Sequence, residues 1–322
     1  MAEPADRLSL AYDAAVAYYD QGQTQAQIAQ RLGISRPTVS RLLDEAREAG
    51  LVTITITPPD ALHLGELGGR LATALGVRSV DIAPGSQAQS LGTGLLPPTS
   101  RLLEQLPLRA GDVVVIASGR TVYELSLQDL PALPGVVLVP SVGGQADPEP
   151  WFQTNELVRT IATKIGARPT FIFAEAMPSE AIFTAMQSDP GFQRIQALWE
   201  RATAVLVGIG APPRVRNAIT SGVPVEDSSL STAVGDVSLH FFDHDGAILD
   251  YPGTERMVRI PLETFQRIPH RVAVAAGVDK TSSIIAAAKQ ELFHYLVTDE
   301  PTARALATAL EIAEPQSASL SA

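Results

Sequence analysis

Three short segments bring small, hydroxyl-bearing and cationic residues together, each directly after an apolar run. Ser118-Gly119-Arg120-Thr121 follows Val-Val-Val-Ile-Ala at 113–117, and Ser141-Val142-Gly143-Gly144-Gln145 follows Val-Val-Leu-Val-Pro at 136–140. Val278-Asp279-Lys280-Thr281 follows Val-Ala-Val-Ala-Ala-Gly at 272–277. Glycine lets a ligand approach the backbone. Backbone N–H groups, hydroxyls, a guanidinium and an ammonium are together the donors that hold phosphate. Gathered around one cleft, the three segments would form an anion site.

A second set of residues suits nucleic acid. Gln25, Ser35, Arg36, Thr38, Ser40 and Arg41 point away from the apolar positions of a segment reading TQAQIAQRLGISRPTVSRLL from Thr24 to Leu43. Arginine grips guanine bidentately, hydroxyls contact bases or phosphate, and Gln25 can touch the backbone. Ile28, Ala29 and Leu32 form the inward stripe of a first helix, and Gly33 marks a sharp turn. Ser35 is an N-cap and Pro37 fits a first turn. Val39, Leu42, Leu43 and Ala46 recur at helical spacing on a second helix. This is a helix-turn-helix, built to place one helix in the major groove. Leu51 to Thr57 reads LVTITIT, a β-branched strand that would complete a small winged domain.

Composition limits the setting. The chain has 322 residues, enough for two domains, and no cysteine, which excludes disulfides and thiol chemistry. No N-terminal signal pattern and no membrane-length apolar run is present, so a soluble cytoplasmic protein is expected. The net charge of −11 is unusual for a nucleic-acid binder. From Gln21 to Leu43, however, there are three arginines (Arg31, Arg36, Arg41) and no acid. A locally positive reading surface on an acidic body implies weak single-copy binding, strong salt dependence and a need for two copies on one duplex.

The elements that must position these residues follow from periodicity. Thr57-Pro58-Pro59-Asp60 is a break, and Leu64, Leu67, Leu71 and Leu75 then define a helix that either packs in the core or helps pair subunits. Strand-like runs lie at 113–117, 136–140, 170–174 (TFIFA), 204–210, 272–277 and 295–298. Helical stretches lie at 155–165, 191–201, 282–291 and 302–312. Continuous apolar strands alternating with helices predict an α/β body with a doubly wound parallel sheet. The expected organisation is residues 1–57 for the DNA-binding domain, 58–61 for a linker, 62–313 for the body and 314–322 for a disordered tail.

The order of motifs resembles the SorC family, the DeoR-like sugar-binding regulators of bacteria. Nearly the whole chain carries the resemblance: IAQRLGISRPTVSRLLDEAREAGLV, SGRTVYEL, VPSVGG, NELVRTIATKIGA, AVLVGIGA, AVGDVSLHFFDHDG, IPHRVAVAAGVDK and YLVTDEPTARAL. The resemblance implies a Rossmann-like body similar to sugar-phosphate isomerases and CoA transferases. It implies a transcriptional regulator whose affinity for double-stranded operator DNA is controlled by a sugar or sugar phosphate, in a homodimer or homotetramer. By the same resemblance Ser118, Gly119, Arg120 and Thr121 hold phosphate, with Gly143, Gly144 and Gln145 beside it. Lys280 neutralises it, Asp236 accepts sugar hydroxyls, and Asn155 supports the pocket. No cofactor or metal is implied.

The alternative is an isomerase-like enzyme fused to a DNA-binding module. Its best base is Asp236, with no second carboxylate placed to assist. His240 and His244 suggest metal ligation only if helical, whereas HFFDHDG reads as a strand entering a turn. Gly92-Thr93-Gly94 reads as a turn, Asp299 and Glu300 as a helix start, and Trp151 and Trp199 as packing or interface residues. No nucleophile elbow is visible, so no catalytic residue is assigned.

Overall fold

The computed structural model describes residues 4–52, 59–85, 91–215, 223–224 and 226–312. The chain divides into two compact units, Met1–Pro58 and Pro59–Ala322. The strand expected at Leu51 to Thr57, and with it the wing, lies largely outside the described residues, as does the tail.

Among its described residues the first unit holds three α-helices, α1 (Pro4–Ala15), α2 (Gln25–Leu32) and α3 (Arg36–Glu48). Thr24 and Gln27 form a capping box: the Gln27 N–H donates to Thr24 Oγ1 (3.3 Å) and the Thr24 N–H to Gln27 Oε1 (2.9 Å). Such caps contribute about 1 kcal/mol. Gly33 ends α2 at φ +65°, a conformation that lets the chain turn into α3. Ile28, Val39, Leu42, Leu43 and Ala46 are buried as their spacing predicts. The sequence reading missed α1, whose Ala11, Ala14 and Ala15 bring it close against α3.

The second unit begins at α4 (Pro59–Leu75), followed by β1 (Ser79–Ala83), α5 (Leu91–Gln105), β2 (Val113–Ile116), α6 (Arg120–Ser126) and β3 (Val137–Pro140). Next come α7 (Thr154–Ile165), β4 (Arg168–Pro169), α8 (Glu180–Met186), α9 (Pro190–Glu200) and β5 (Ala202–Gly208). The hairpin β6 (Gly235–Val237) and β7 (His240–Phe242) precedes α10 (Leu262–Arg267), β8 (His270–Val274), α11 (Thr281–Lys289), β9 (Tyr295–Asp299) and α12 (Glu300–Ala309). Seven strands form a parallel sheet in the order β1-β9-β8-β5-β2-β3-β4.

The sheet is buried on both faces, and the alternation is explicit. Val113, Val115, Val205, Val207 and Ala273 join one core with residues of α4, α9, α11 and α12. Their neighbours Val114, Ile116, Ala204, Leu206, Val272 and Val274 join the other, against α5, α6 and α7. The leucines of α4 are core residues: Leu67, Leu71 and Leu75 pack in the first cluster. Trp199 is buried there too, its indole N–H donating to the Pro140 carbonyl at 2.8 Å.

Two expectations need correction. TFIFA is not an assigned strand; the regular ladder ends at Pro169, and only the Thr170 N–H (2.8 Å to the Leu138 carbonyl) carries it further. Asn155 then supplies from a side chain the hydrogen bonds that a neighbouring strand would give. Gly92-Thr93-Gly94 is not a turn but the start of α5. Gly92 is there because a Cβ would stand 2.4 Å from the Glu124 carbonyl oxygen, where α5 lies against α6.

Candidate functional site

Strand order reverses between β2 and β5. From β2 the chain runs outward through β3 to β4, and from β5 the other way through β8 to β9. In open α/β sheets this switch point leaves a crevice at the carboxyl ends of the strands, where ligands bind. Ser118-Gly119-Arg120-Thr121 follows β2 directly on one side of it. Adjacent strands lie about 4.8 Å apart, so β2 and β8, which flank β5, are about 10 Å apart.

Two of the expected residues touch. Gln145 Nε2 donates to Ser118 Oγ at 3.1 Å, joining the loops after β2 and β3. Gln145 is 8% exposed, and its Oε1 is buried with no hydrogen-bond partner among the described residues. Gly119 precedes α6 at φ +126°, strongly favouring glycine, and its N–H donates to the Trp151 carbonyl at 2.9 Å. The first-turn N–H groups of Arg120, Thr121 and Val122 lack intrahelical partners, as at any helix start. The exposed Arg120 guanidinium lies over the Trp151 ring, 5.8 Å from its centroid, while Thr121 is buried.

Gly143 and Gly144 take a different part from the one their donors suggest. Gly143 N–H is spent on the Val258 carbonyl (2.8 Å) and Gly144 N–H on the Ala174 carbonyl (2.7 Å). A Cβ on Gly143 would stand 2.8 Å from the Ala174 oxygen, so the glycine admits a neighbouring chain rather than a ligand. Asn155 is a brace: its Nδ2 donates to the Ile172 carbonyl (2.9 Å) and its Oδ1 accepts the Ile172 N–H (3.0 Å).

Asp236 lies buried in the β6–β7 hairpin, which crosses the carboxyl ends of β3 and β5. Gly210 N–H donates to the Asp236 carbonyl (2.9 Å), and Ser238 Oγ and Ser141 Oγ are 3.0 Å apart. The two-residue turn holds Ser238 at φ +49° and Leu239 at φ +64°, the geometry of a primed hairpin turn without its usual glycine or asparagine. Asp236 Oδ2 accepts the Leu239 N–H at 3.0 Å, while Arg259 and Tyr251 donate to the Leu239 carbonyl. Burial pulls the Arg259 guanidinium below its ordinary value, offset by Tyr251, Asp236 and Asp250, and pushes the Tyr251 hydroxyl up. One oxygen of the candidate isomerase base, Oδ2, is thus engaged in holding a strained turn. Lys280 follows β8, three residues before Ser283, whose hydroxyl donates to the Val234 carbonyl beside β6.

His240 is buried, its Nε2 2.9 Å from the Ile260 carbonyl, and burial drives its pKa down to about 3. His244 is exposed in a turn where Asp243 Oδ1 accepts the N–H groups of Asp245 and Ala247. Among the described residues no group of three or more metal-ligating side chains is assembled. Sequence reasoning missed Thr154, whose Oγ1 is buried with no partner among the described residues, and the likewise unpartnered, buried Asp299 Oδ2 at the carboxyl end of β9. Asp299 does start α12, through Oδ1 accepting the Thr302 N–H at 3.1 Å. Neither orphan has a sequence signature, because burial of a side-chain oxygen is set by tertiary packing. An open depression of about 680 Å³ lies on the hairpin side, lined among others by Asp227, Asp250, Tyr251 and Arg259.

In the first unit, Arg36 and Arg41 are exposed on α3, and Gln25 is half-exposed at the start of α2. Ser40 is half-buried, and the Ser35 and Thr38 hydroxyls are 2.7 Å apart while Ser35 Oγ accepts the Thr38 N–H. Those two hydroxyls are partly engaged in capping. Two of the acids at the far end are paired: Glu45 with Arg7, bridging α3 to α1, and Asp44 with Arg47.

Comparison with known proteins matches this arrangement. The Sugar-bind family, a sugar-binding domain, matches residues 60–308, and the MarR family model MarR_2 matches residues 11–61. The chain is 29% identical over 320 residues to the sorbitol operon regulator of Klebsiella pneumoniae, covering 94% of this chain and 99% of that one. It is 27% identical over 308 residues to the deoxyribonucleoside regulator of Bacillus subtilis, covering 94% and 98%. The crystal structure of the full-length sorbitol operon regulator SorC from Klebsiella pneumoniae superposes with a TM-score of 0.68 at 28% identity, over 92% of this chain and 98% of that one. No described helix is long and apolar enough to cross a membrane. With a sugar-binding body behind a helix-turn-helix, and regulators as relatives over nearly its whole length, the chain belongs to the Sugar-bind family as a SorC-type, DeoR-like DNA-binding transcriptional regulator controlled by a sugar effector.

Proposed function

We propose that the effector is a phosphorylated sugar seated at the switch point between β2 and β5. The observation that carries this reading is the Gln145–Ser118 pair, with a buried amide oxygen left unpartnered beside the start of α6. An acceptor so placed costs stability until a donor arrives, and a sugar hydroxyl is such a donor. The phosphate takes the backbone N–H groups at the start of α6 together with Ser118 and Arg120, and Gly119 and Thr121 shape that turn. Lys280 reaches the same phosphate from the end of β8, and Asp236 offers its carboxylate to the sugar. Gly143, Gly144 and Asn155 hold the walls.

Effector binding shifts the equilibrium between arrangements of paired DNA modules, with a coupling of about 1–3 kcal/mol typical of such systems. Gln25, Ser35, Arg36, Thr38, Ser40 and Arg41 face the operator, in a cytoplasmic homodimer or homotetramer reading a near-palindromic site. A thermal-shift screen of free sugars and sugar phosphates against the wild type and Lys280→Ala tests the effector. At least one sugar phosphate should stabilise the wild type more than its free sugar does, and Lys280→Ala should remove that difference. Equal stabilisation of both proteins would take Lys280 out of the site, and a response to free sugars alone would overturn the phosphate.

A further inference from the structure

Arg120 is held by an aromatic ring where other exposed arginines of this body are held by acids. Arg159 on α7 and Arg304 on α12 each bond to a glutamate one helical turn back, Glu156 and Glu300. Arg120 opens α6, and its only neighbour at such spacing along the helix is the half-buried Glu124. Side chains on a helix lean toward its N-terminus, so Arg120 leans away from Glu124. Among the described residues its guanidinium has no ion pair, and its charge rests on the Trp151 ring, 5.8 Å from the centroid. That ring is itself fixed. The Trp151 carbonyl accepts the Gly119 N–H (2.9 Å), which ties it to the loop after β2. Its edge contacts are Tyr123, one turn along α6 (6.3 Å between centroids), and Phe152 (6.2 Å). The segment carrying it is closed by Gln153 Nε2 donating to the Asp147 carbonyl at 2.7 Å.

We propose that Trp151 is a positioning residue for phosphate recognition: it holds the Arg120 guanidinium ready beside Ser118 and Gly119. The inference rests on the phosphate reading of the site given above. A guanidinium is planar, and an aromatic ring covers one of its faces while the N–H donors lie in the plane and stay available. An arginine without that support gives up its rotamer freedom when the anion binds, whereas here the freedom is already spent. A carboxylate partner would hold the side chain equally well but would neutralise it and occupy its donors. The indole does neither. An exposed contact of this kind is worth about a two- to fivefold change in affinity. Lysine at position 120 would keep the charge and lose the stacked plane.

Calorimetric titration of inorganic phosphate into the full-length chain, against chloride at equal ionic strength, tests the proposal. The proteins are the wild type, Trp151→Leu, Trp151→Phe, Arg120→Ala and Trp151→Leu/Arg120→Ala. Arg120→Ala should weaken binding about tenfold. Trp151→Leu should weaken it about two- to fivefold, and Trp151→Phe should recover part of that loss. The double variant should bind no more weakly than Arg120→Ala, because the ring acts through the guanidinium. Phosphate should also change the indole emission of the wild type and not that of Trp151→Leu, since the other tryptophan, Trp199, is buried in the core. With binding weakened in Arg120→Ala, an unchanged Kd in Trp151→Leu would overturn the proposal and leave the phosphate reading standing. So would a double variant weaker than Arg120→Ala by the factor of the single substitution, which would mean that the ring touches the anion itself or shapes the loop. Equal binding by Arg120→Ala and the wild type would overturn it as well. A wild type that takes up neither inorganic phosphate nor any sugar phosphate of the thermal-shift screen would overturn both readings.

Discussion

Replacing Gln145 by leucine separates a residue that serves the fold from one that waits for a ligand. The side chain is nearly as large, and the site is 8% exposed. The substitution deletes the 3.1 Å bond to Ser118 Oγ, worth about 1 kcal/mol, and the half-buried serine can turn to water. It also deletes the unpartnered Oε1, whose burial costs about 1–3 kcal/mol. The two changes oppose each other, so the effector-free variant should lie between about equal stability and about 2 kcal/mol above the wild type. At about 2–4 °C per kcal/mol for a body of this size, its melting temperature should hold or rise by a few degrees. The effector, in contrast, loses one acceptor, which weakens its Kd about tenfold. At a concentration of about 100 times the wild-type Kd, stabilisation by the effector then drops from about 2.7 to about 1.4 kcal/mol. Paired thermal-shift and calorimetric titrations with the sugar phosphate that stabilises the wild type measure both quantities. A variant that melts well below the wild type while binding the effector with unchanged Kd would refute the reasoning, because Gln145 would then be purely structural.

Two further predictions concern the other unit and the response to acid. Arg36→Ala and Arg41→Ala should each weaken binding to the upstream operator by about 1–3 kcal/mol without moving the effector-induced thermal shift; electrophoretic mobility shifts equal to the wild type for both would remove α3 as the reading helix. His240 is held neutral by burial down to about pH 3, whereas the unfolded chain takes up that proton near pH 6.5. Its contribution is therefore complete above pH 6.5 and declines by about 1.4 kcal/mol per pH unit as the pH falls from 6.5 toward 3. His294, lowered to about 4 by burial and the nearby Arg271 and Arg78, acts in the same direction. Urea midpoints at pH 7 and pH 5 should consequently fall less in His240→Gln than in the wild type, and identical falls would show that His240 is not held neutral.

Much of the fold was legible because it rests on local physics. The Thr24 capping box, Gly33 and the apolar stripe of α3 are short-range devices, and the described residues carry them as their spacing predicts. The strands β2, β3, β5, β8 and β9 were legible because both faces are buried, which demands unbroken apolar runs. β1 was missed because Ser79 and Asp81 interrupt its apolar pattern at an edge of the sheet. TFIFA was over-read because β propensity reports a fit to a pleated surface, and here the neighbour on one side is missing beyond Pro169. The helix start at Gly92 was hidden by glycines and prolines that ordinarily end helices, while the reason for Gly92 is a carbonyl thirty-two positions on.

The candidate site divides along the same line. Residue chemistry pointed to Ser118, Gln145 and Lys280 as donors at strand ends; the structure joins Gln145 to Ser118, and Lys280 follows β8, two strands away from β2. The sequence by itself determined the helix-turn-helix, the class of the body and the kinds of donor near the crevice, because these depend on neighbours within a few residues. Only the tertiary structure decided which donors and acceptors are spent. Gly143 and Gly144 give their N–H groups to Val258 and Ala174, Asn155 braces Ile172, and Asp236 holds a turn, while Gln145 keeps a buried acceptor unpaired. A hydrogen bond joins groups that are near in space, and those partners lie up to 115 residues away along the chain.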